Sequence, residues 1–149
     1  MSGDTAGLAP ATRAVTLGRP PRIAGAPVNT PVTFTSTFIA DGEVNYARVA
    51  NPTWEALEEV LGSLEGVSAL SFASGMAAIA AVVGLVPVGG VVVAPRHVYN
   101  GTNGLLAERR AAGALTVRTV EAEDVDGIVA ACAGADLLLL ESPTNPMME

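Results

Sequence analysis

Four short segments carry residue types able to hold an anionic, planar ligand. Ala73-Ser74-Gly75-Met76 stands between an apolar stretch and an apolar helical pattern. Glycine there permits close backbone approach, a serine can cap, and the N–H groups of a first helical turn carry partial positive charge, so the loop suits a phosphate. Ser74 as an ordinary N-cap accounts for the same residues. Tyr46-Ala47-Arg48 sets a phenol near a permanent cation, a pair suited to the same anion, although two solvated loop side chains explain it as well. In His97-Val98-Tyr99-Asn100-Gly101 the Tyr99 ring could lie on a planar ligand and His97 could carry a proton, although for the histidine a residue that simply closes a strand end is the preferred reading. Glu141-Ser142-Pro143-Thr144-Asn145-Pro146 offers the Asn145 amide to a ligand oxygen, within what also reads as a proline-bounded turn.

The charge inventory removes other chemistries. All eight basic residues are arginines, at positions 13, 19, 22, 48, 96, 109, 110 and 118. These residues therefore supply no Schiff-base lysine, lysine general base or P-loop lysine. Net charge is -7 and the arginines are scattered, which leaves no basic face for a nucleic acid or an anionic membrane. The loop at Ser74 is not a dinucleotide fingerprint, because G-x-G-x-x-G and its following acid are absent, and it lacks the P-loop spacing. A free-standing nucleotide binder is therefore disfavoured. No metal-ligand spacing and no Ser/His/Asp order stands out. The single Cys132 lies in an apolar run, which excludes an intrachain disulfide and fits a small buried side chain in a reducing, cytoplasmic setting. Residues 1–10 carry an acid where a secretory signal needs basic residues, and no apolar core.

These segments need elements to position them, and the composition indicates which. The 149 residues suffice for one domain or part of a larger one; half are apolar, only 4% are aromatic and 15% are charged, against about 25% charged in an ordinary domain. Such a core is aliphatic, built from Ala, Gly, Val and Leu. Residues 1–50 hold five prolines and then Thr33-Phe-Thr-Ser-Thr-Phe38, with no helical period, and read as an extended N-terminal arm that packs against something else, such as another subunit. Asn51-Pro52-Thr53 starts a helix with an N-cap and proline at the first position; Trp54, Leu57, Val60, Leu61 and Leu64 form its apolar stripe, and Gly66 stops it.

From there strands and helices alternate: strand 69–72, helix 75–86, strand 91–94, helix about 102–112, strand 115–120, helix 124–133 and strand 137–140. The uncharged run between Glu65 and Arg96 is too broken to span a bilayer, since its apolar part from Ala77 to Val86 is ten residues, against the roughly 18 a span needs. Strands apolar on both faces and separated by helices imply a parallel sheet in an α/β fold, with ligands at the carboxyl ends of the strands. Four such strands would leave edges and helix faces uncovered unless further protein docks.

The order and spacing of the segments closely resemble the Cys/Met-metabolism family of pyridoxal-phosphate (PLP) enzymes, the transsulfuration group of cystathionine γ-synthases and cystathionine lyases. The resemblance runs from Pro31-Val-Thr-Phe-Thr-Ser-Thr-Phe38 through Tyr46-Ala-Arg-Val-Ala-Asn-Pro-Thr53, Leu64-Glu-Gly66, Phe72-Ala-Ser-Gly-Met-Ala-Ala-Ile79 and Tyr99-Asn-Gly-Thr102 to Glu141-Ser-Pro-Thr-Asn-Pro146. It implies a type I, aspartate-aminotransferase-like large domain with an incomplete parallel-rich sheet over residues 51–149, after the arm of 1–50.

It further implies that Gly75 and Met76 donate N–H groups to the PLP phosphate beside Ser74. Tyr99 would stack on the pyridine ring, and Asn145 would contact the cofactor O3′ or the substrate carboxylate. Tyr46 and Arg48 would reach the phosphate in a neighbouring subunit of a homo-oligomer, usually a tetramer. A sulfur-containing amino acid or activated homoserine is the implied substrate.

The aspartate on the pyridine nitrogen, the Schiff-base lysine and the carboxylate-gripping arginine of such enzymes lie beyond these residues, so the 149 residues alone are expected to be an inactive N-terminal fragment. Gly101, where methionine-cleaving members typically carry cysteine, points away from that subgroup. Cystathionine γ-synthase, cystathionine lyase and O-acylhomoserine sulfhydrylase remain, with a mild preference for the first two. The alternative class is a non-catalytic or split-enzyme chain that assembles with a relative or a separate C-terminal half. A downstream reading frame carrying the missing aspartate and lysine would separate the possibilities.

Overall fold

The computed structural model describes residues 7–148. The absence of a secretory signal expected for residues 1–10 therefore concerns a segment that lies largely outside the described residues. Two compact units divide the chain between Ser71 and Phe72.

In the first unit, α1 (Pro10–Thr16) and α2 (Pro52–Glu65) are joined by a long irregular segment. The start of α2 follows from its sequence: the Asn51 side chain accepts from Thr53 N at 2.9 Å, Pro52 takes the position where no N–H is needed, and Gly66 closes the helix in the left-handed region at φ 76°. Helix α1 is a correction to the arm expected without helix. Proline at its first turn and an Ala/Thr/Arg stretch sufficed to form it, and the density of prolines farther along hid that signal.

Hydrogen bonds to α2 order the rest of the segment. Arg13 Nη1 donates to the Ser63 carbonyl, Gly18 N to Glu59 Oε2 at 3.1 Å, Thr33 N to Thr53 Oγ1 at 2.8 Å, and Asn51 Nδ2 to Thr33 O at 3.1 Å. Gly18 is required twice over: its φ is +65°, and a Cβ there would strike the Ala56 carbonyl oxygen.

The second unit runs α3 (Gly75–Val83), β1 (Gly90–Pro95), α4 (Asn100–Ala111), β2 (Leu115–Val120), α5 (Val125–Ala131) and β3 (Leu137–Leu138). The three strands form a parallel sheet in the order β2-β1-β3, with Gly90 opposite Leu115 and Val92 opposite Leu137. The all-apolar β1 belongs in the centre, where both faces are covered: Val92 and Val93 are fully buried. Val83, Val92, Ala94, Leu106 and Leu115 make the core, with Ile79, Leu105, Val117, Leu137 and Leu139 packed around it.

Residues 69–72, expected as a strand, have no ladder partner among the described residues. A run of four residues with two serines nearby was too short to distinguish a strand from an extended lead-in to α3. Among the described residues the sheet therefore has three strands where four were expected. Helix α3 ends at Val83, three residues before the expected limit, because Gly84 and the Val86-Pro87 step break it.

Strand β3 is short, and acidic side chains hold the segment around it. Asp136 Oδ2 accepts from Val91 N at 2.7 Å, near the start of β1, and Leu139 N continues the pairing to Val93 O at 2.9 Å. Elsewhere Asp124 caps α5 at Gly127 N, and Arg118 Nη1 binds the Ala131 and Ala133 carbonyls at the other end of that helix, at 2.7 and 2.6 Å.

Candidate functional site

Three of the loops singled out from the sequence follow extended segments and precede or replace helices in the second unit. Ser74 is the N-cap of α3, and its hydroxyl accepts from Ala77 N at 3.1 Å. The capping role and an anion-holding role are compatible. With Oγ committed to the third helical residue, the N–H groups of Gly75 and Met76, which have no partner within a helix, point out of the first turn. A Cβ built on Gly75 meets nothing within 4 Å, so the chain does not crowd the first turn on that side.

Tyr99 follows β1 and is the N-cap of α4; its carbonyl accepts from Thr102 N at 2.9 Å and Asn103 N at 3.1 Å. The neighbouring Val98 and Thr102 are almost wholly buried, while Tyr99 is 47% exposed. Its backbone is thus fixed from both sides and its ring is presented outward. Gly101 explains how the ring lies: a Cβ there would come within 2.8 Å of both Met76 Sδ and Tyr99 Cε1. Met76 and Tyr99 therefore converge over Gly101, a sulfur–aromatic arrangement possible only without a side chain at that position.

Asn145 lies past the end of β3, exposed, and follows the fully buried Thr144. Its N–H donates to Glu141 Oε1 at 3.1 Å, and the other oxygen of the same carboxylate, Oε2, accepts from Tyr99 N at 2.9 Å. The Tyr99 and Asn145 loops, far apart in sequence, are thereby tied to one side chain.

In the first unit, Tyr46 and Arg48 are paired. Arg48 Nη2 donates to the Tyr46 hydroxyl at 3.1 Å, and the guanidinium carbon stands 5.1 Å from the ring centroid. A bridge between Thr37 and Tyr46 supports the pair, flanked by bonds from Phe38 N to Asn45 O and from Ala47 N to Ser36 O. The Thr-rich stretch thus serves as the second side of a small β-bridge.

Of the residues expected at a site, the structure brings Met76, Tyr99 and, through Glu141, Asn145 into one cluster, and it pairs Tyr46 with Arg48. Sequence reasoning missed Glu141 and the packing role of Gly101. The available signal for Glu141 was an acid at the carboxyl end of a strand of four leucines, with no basic residue beside it. No group of three or more potential metal-ligating side chains occurs among the described residues, and no helix among them is long and apolar enough to cross a membrane.

The fold matches solved structures of PLP enzymes. Against an apo methionine γ-lyase from Micromonospora echinospora the TM-score is 0.84 with 36% identity, covering 96% of this chain and 40% of that one. The architecture is thus the type I PLP fold. In sequence, the chain is 37% identical over 129 residues to the chloroplastic cystathionine β-lyase of Arabidopsis thaliana, which covers 82% of this chain and 28% of that protein. It is 37% identical over 148 residues to the cystathionine γ-synthase of Mycobacterium bovis, covering 93% and 38% respectively. A family model described as Cys/Met metabolism PLP-dependent enzyme matches residues 11–149, and the chain belongs to that family. It spans well under half the length of these relatives.

Pyridoxal phosphate is the family's cofactor, and the residues present suit part of it. The α3 N-terminus offers two N–H donors beside an uncrowded Gly75, and a half-exposed aromatic ring lies in the same unit. The lysine that a PLP enzyme needs is not among the 149 residues.

Proposed function

We propose that this chain provides the phosphate- and ring-holding part of a PLP-dependent enzyme of carbon–sulfur bond chemistry on amino acids, of the cystathionine γ-synthase or cystathionine lyase kind. The observation that carries this reading is the α3 N-terminus, where Ser74 caps with its hydroxyl and leaves the Gly75 and Met76 N–H groups free to bind phosphate. Tyr99 lies against the pyridine ring, Met76 supports Tyr99 from behind, and Asn145 hydrogen-bonds O3′ or the substrate carboxylate. When bound, the cofactor supplies an electron-withdrawing ring to the substrate carbon next to its amino group. Tyr46 and Arg48, already paired and on the surface, add a hydroxyl and a guanidinium to the phosphate of a neighbouring subunit in a homo-oligomer, a tetramer in this reading. An arm of residues 1–50 leading into a PLP-binding part at 51–149, and a cytoplasmic location, complete the proposal.

Turnover requires a lysine from outside these 149 residues, supplied by further polypeptide or by another chain. The chain alone is expected to bind PLP and inorganic phosphate competitively without catalysing cystathionine synthesis or cleavage. The decisive variant is Gly75→Pro. Ser74 is extended at φ -158° and ψ 158°, a conformation that proline tolerates in the residue before it, and the first helical position tolerates proline itself. This change deletes one N–H while keeping the helix. Affinity for both ligands should fall about tenfold, the scale of a lost hydrogen bond to a charged group. Unchanged affinity with an unchanged circular dichroism spectrum would sink the proposal.

A further inference from the structure

We infer that Glu141 is a positioning residue: its carboxylate spans the Tyr99 and Asn145 loops and sets the ring-facing and oxygen-facing side chains at a fixed separation. This rests on the roles given above to Tyr99 and Asn145, but the clasp itself rests on geometry alone. Oε2 accepts from Tyr99 N at 2.9 Å and Oε1 from Asn145 N at 3.1 Å, so both oxygens are used, one on each loop. The Glu141 carboxylate accepts from these two backbone N–H groups, one on each oxygen. A carboxylate with each oxygen on a different N–H binds both more strongly than a neutral acceptor would.

The anchoring is rigid on each side. Tyr99 sits between buried Val98 and Thr102, Asn145 directly after buried Thr144, and Glu141 just past the strand that pairs with β1. The Tyr99 ring and the Asn145 amide nevertheless remain outside, so the carboxylate orders the backbone beneath two side chains that are free to meet a ligand. Glutamine has the shape of glutamate but only one acceptor oxygen; its NH2 would face an N–H, so it can hold one loop and not both. Aspartate keeps both acceptors and lacks the reach.

The test uses the full chain with Glu141→Ala and Glu141→Gln. Hydrogen exchange at single amides should quicken about tenfold or more at both Tyr99 and Asn145 in the alanine variant and at one of the two in the glutamine variant. Val92 and Val93 should keep their protection. In parallel, affinity for pyridoxal phosphate should fall about tenfold in the alanine variant, while affinity for inorganic phosphate, held at α3, stays within twofold. Unchanged exchange at Tyr99 and Asn145 overturns the inference. So does loss of protection reaching Val92 and Val93 in both variants, since the carboxylate would then hold the whole unit, and so does an equal fall in both ligand affinities. If the unaltered chain binds neither ligand, the proposed function fails, and the exchange measurement still decides the clasp.

Discussion

The two units are held by different forces. Every fully buried apolar side chain among the described residues lies in 72–148, where three strands and their helices cover Val92, Val93 and Ala94. In 7–71 the buried positions are Asn51 and Gly62, while Phe34 and Ile39 are 95% and 93% exposed. Side chains that reach backbone groups order this region: Arg13 on Ser63, Thr53 on Thr33, Asn51 on Thr33 and Glu58 on Ser71. A proline- and threonine-rich segment thus acquires a defined path without burying apolar side chains of its own. Because hydrogen bonds exchange water partners for protein ones, each contributes only about 1 kcal/mol net, so the path depends on several together.

This contrast can be broken by comparing apolar with polar deletions in each unit. The largest effect is expected from Val92→Ala, which removes two methyl groups from a fully enclosed site and leaves a cavity. A loss of about 2–3 kcal/mol follows, read from hydrogen exchange at Val93 and Val117. Next comes Asn51→Ala, which removes both the α2 cap and the bond to Thr33 O. It should cost about 1–2 kcal/mol and shift the denaturation midpoint of fluorescence from Trp54, the only tryptophan, which lies within α2. Gly101→Ala should cost about 1 kcal/mol by crowding Met76 and Tyr99, and should weaken pyridoxal phosphate binding more than phosphate binding; equal weakening would separate Tyr99 from the ring. The smallest effect belongs to Leu57→Ala. This side chain of α2 is 51% exposed, and its loss should move the Trp54 midpoint by less than about 0.5 kcal/mol. A Leu57 effect larger than that of Asn51 would overturn the contrast.

The same contrast decides what the sequence made legible. Strong local signals survived: β2 matches its expected limits, α2 starts and stops at its caps, and β1, α4 and α5 shift by one or two residues at their ends. These elements follow from apolar periodicity and capping chemistry, which act within a few residues. The missing strand at 69–72 is the converse case, because a strand exists only where another backbone pairs with it, and four residues of pattern do not specify that partner. Helix α1 was hidden by proline, which has one meaning at a first turn and another in an irregular run.

At the candidate site, Ser74, Gly75, Met76, Tyr99 and Asn145 were picked out by residue type and by the family resemblance. Glu141 was not, although it stood in the quoted motif. Its importance comes from a bond to residue 99, forty-two positions away, and no local pattern encodes such a bond.

The acids on either side of β3 have one more consequence. Residues 137–140 are four leucines, so a slide of two positions along β1 would present the same side chains to the same faces, and the apolar core could not tell the two pairings apart. Asp136 and Glu141 remove that degeneracy. One is fastened to Val91 N and the other to Tyr99 N, and a two-position slip would carry both carboxylates about 7 Å from their donors. The identical leucines supply adhesion, and the two charged brackets act as the keys that admit a single alignment.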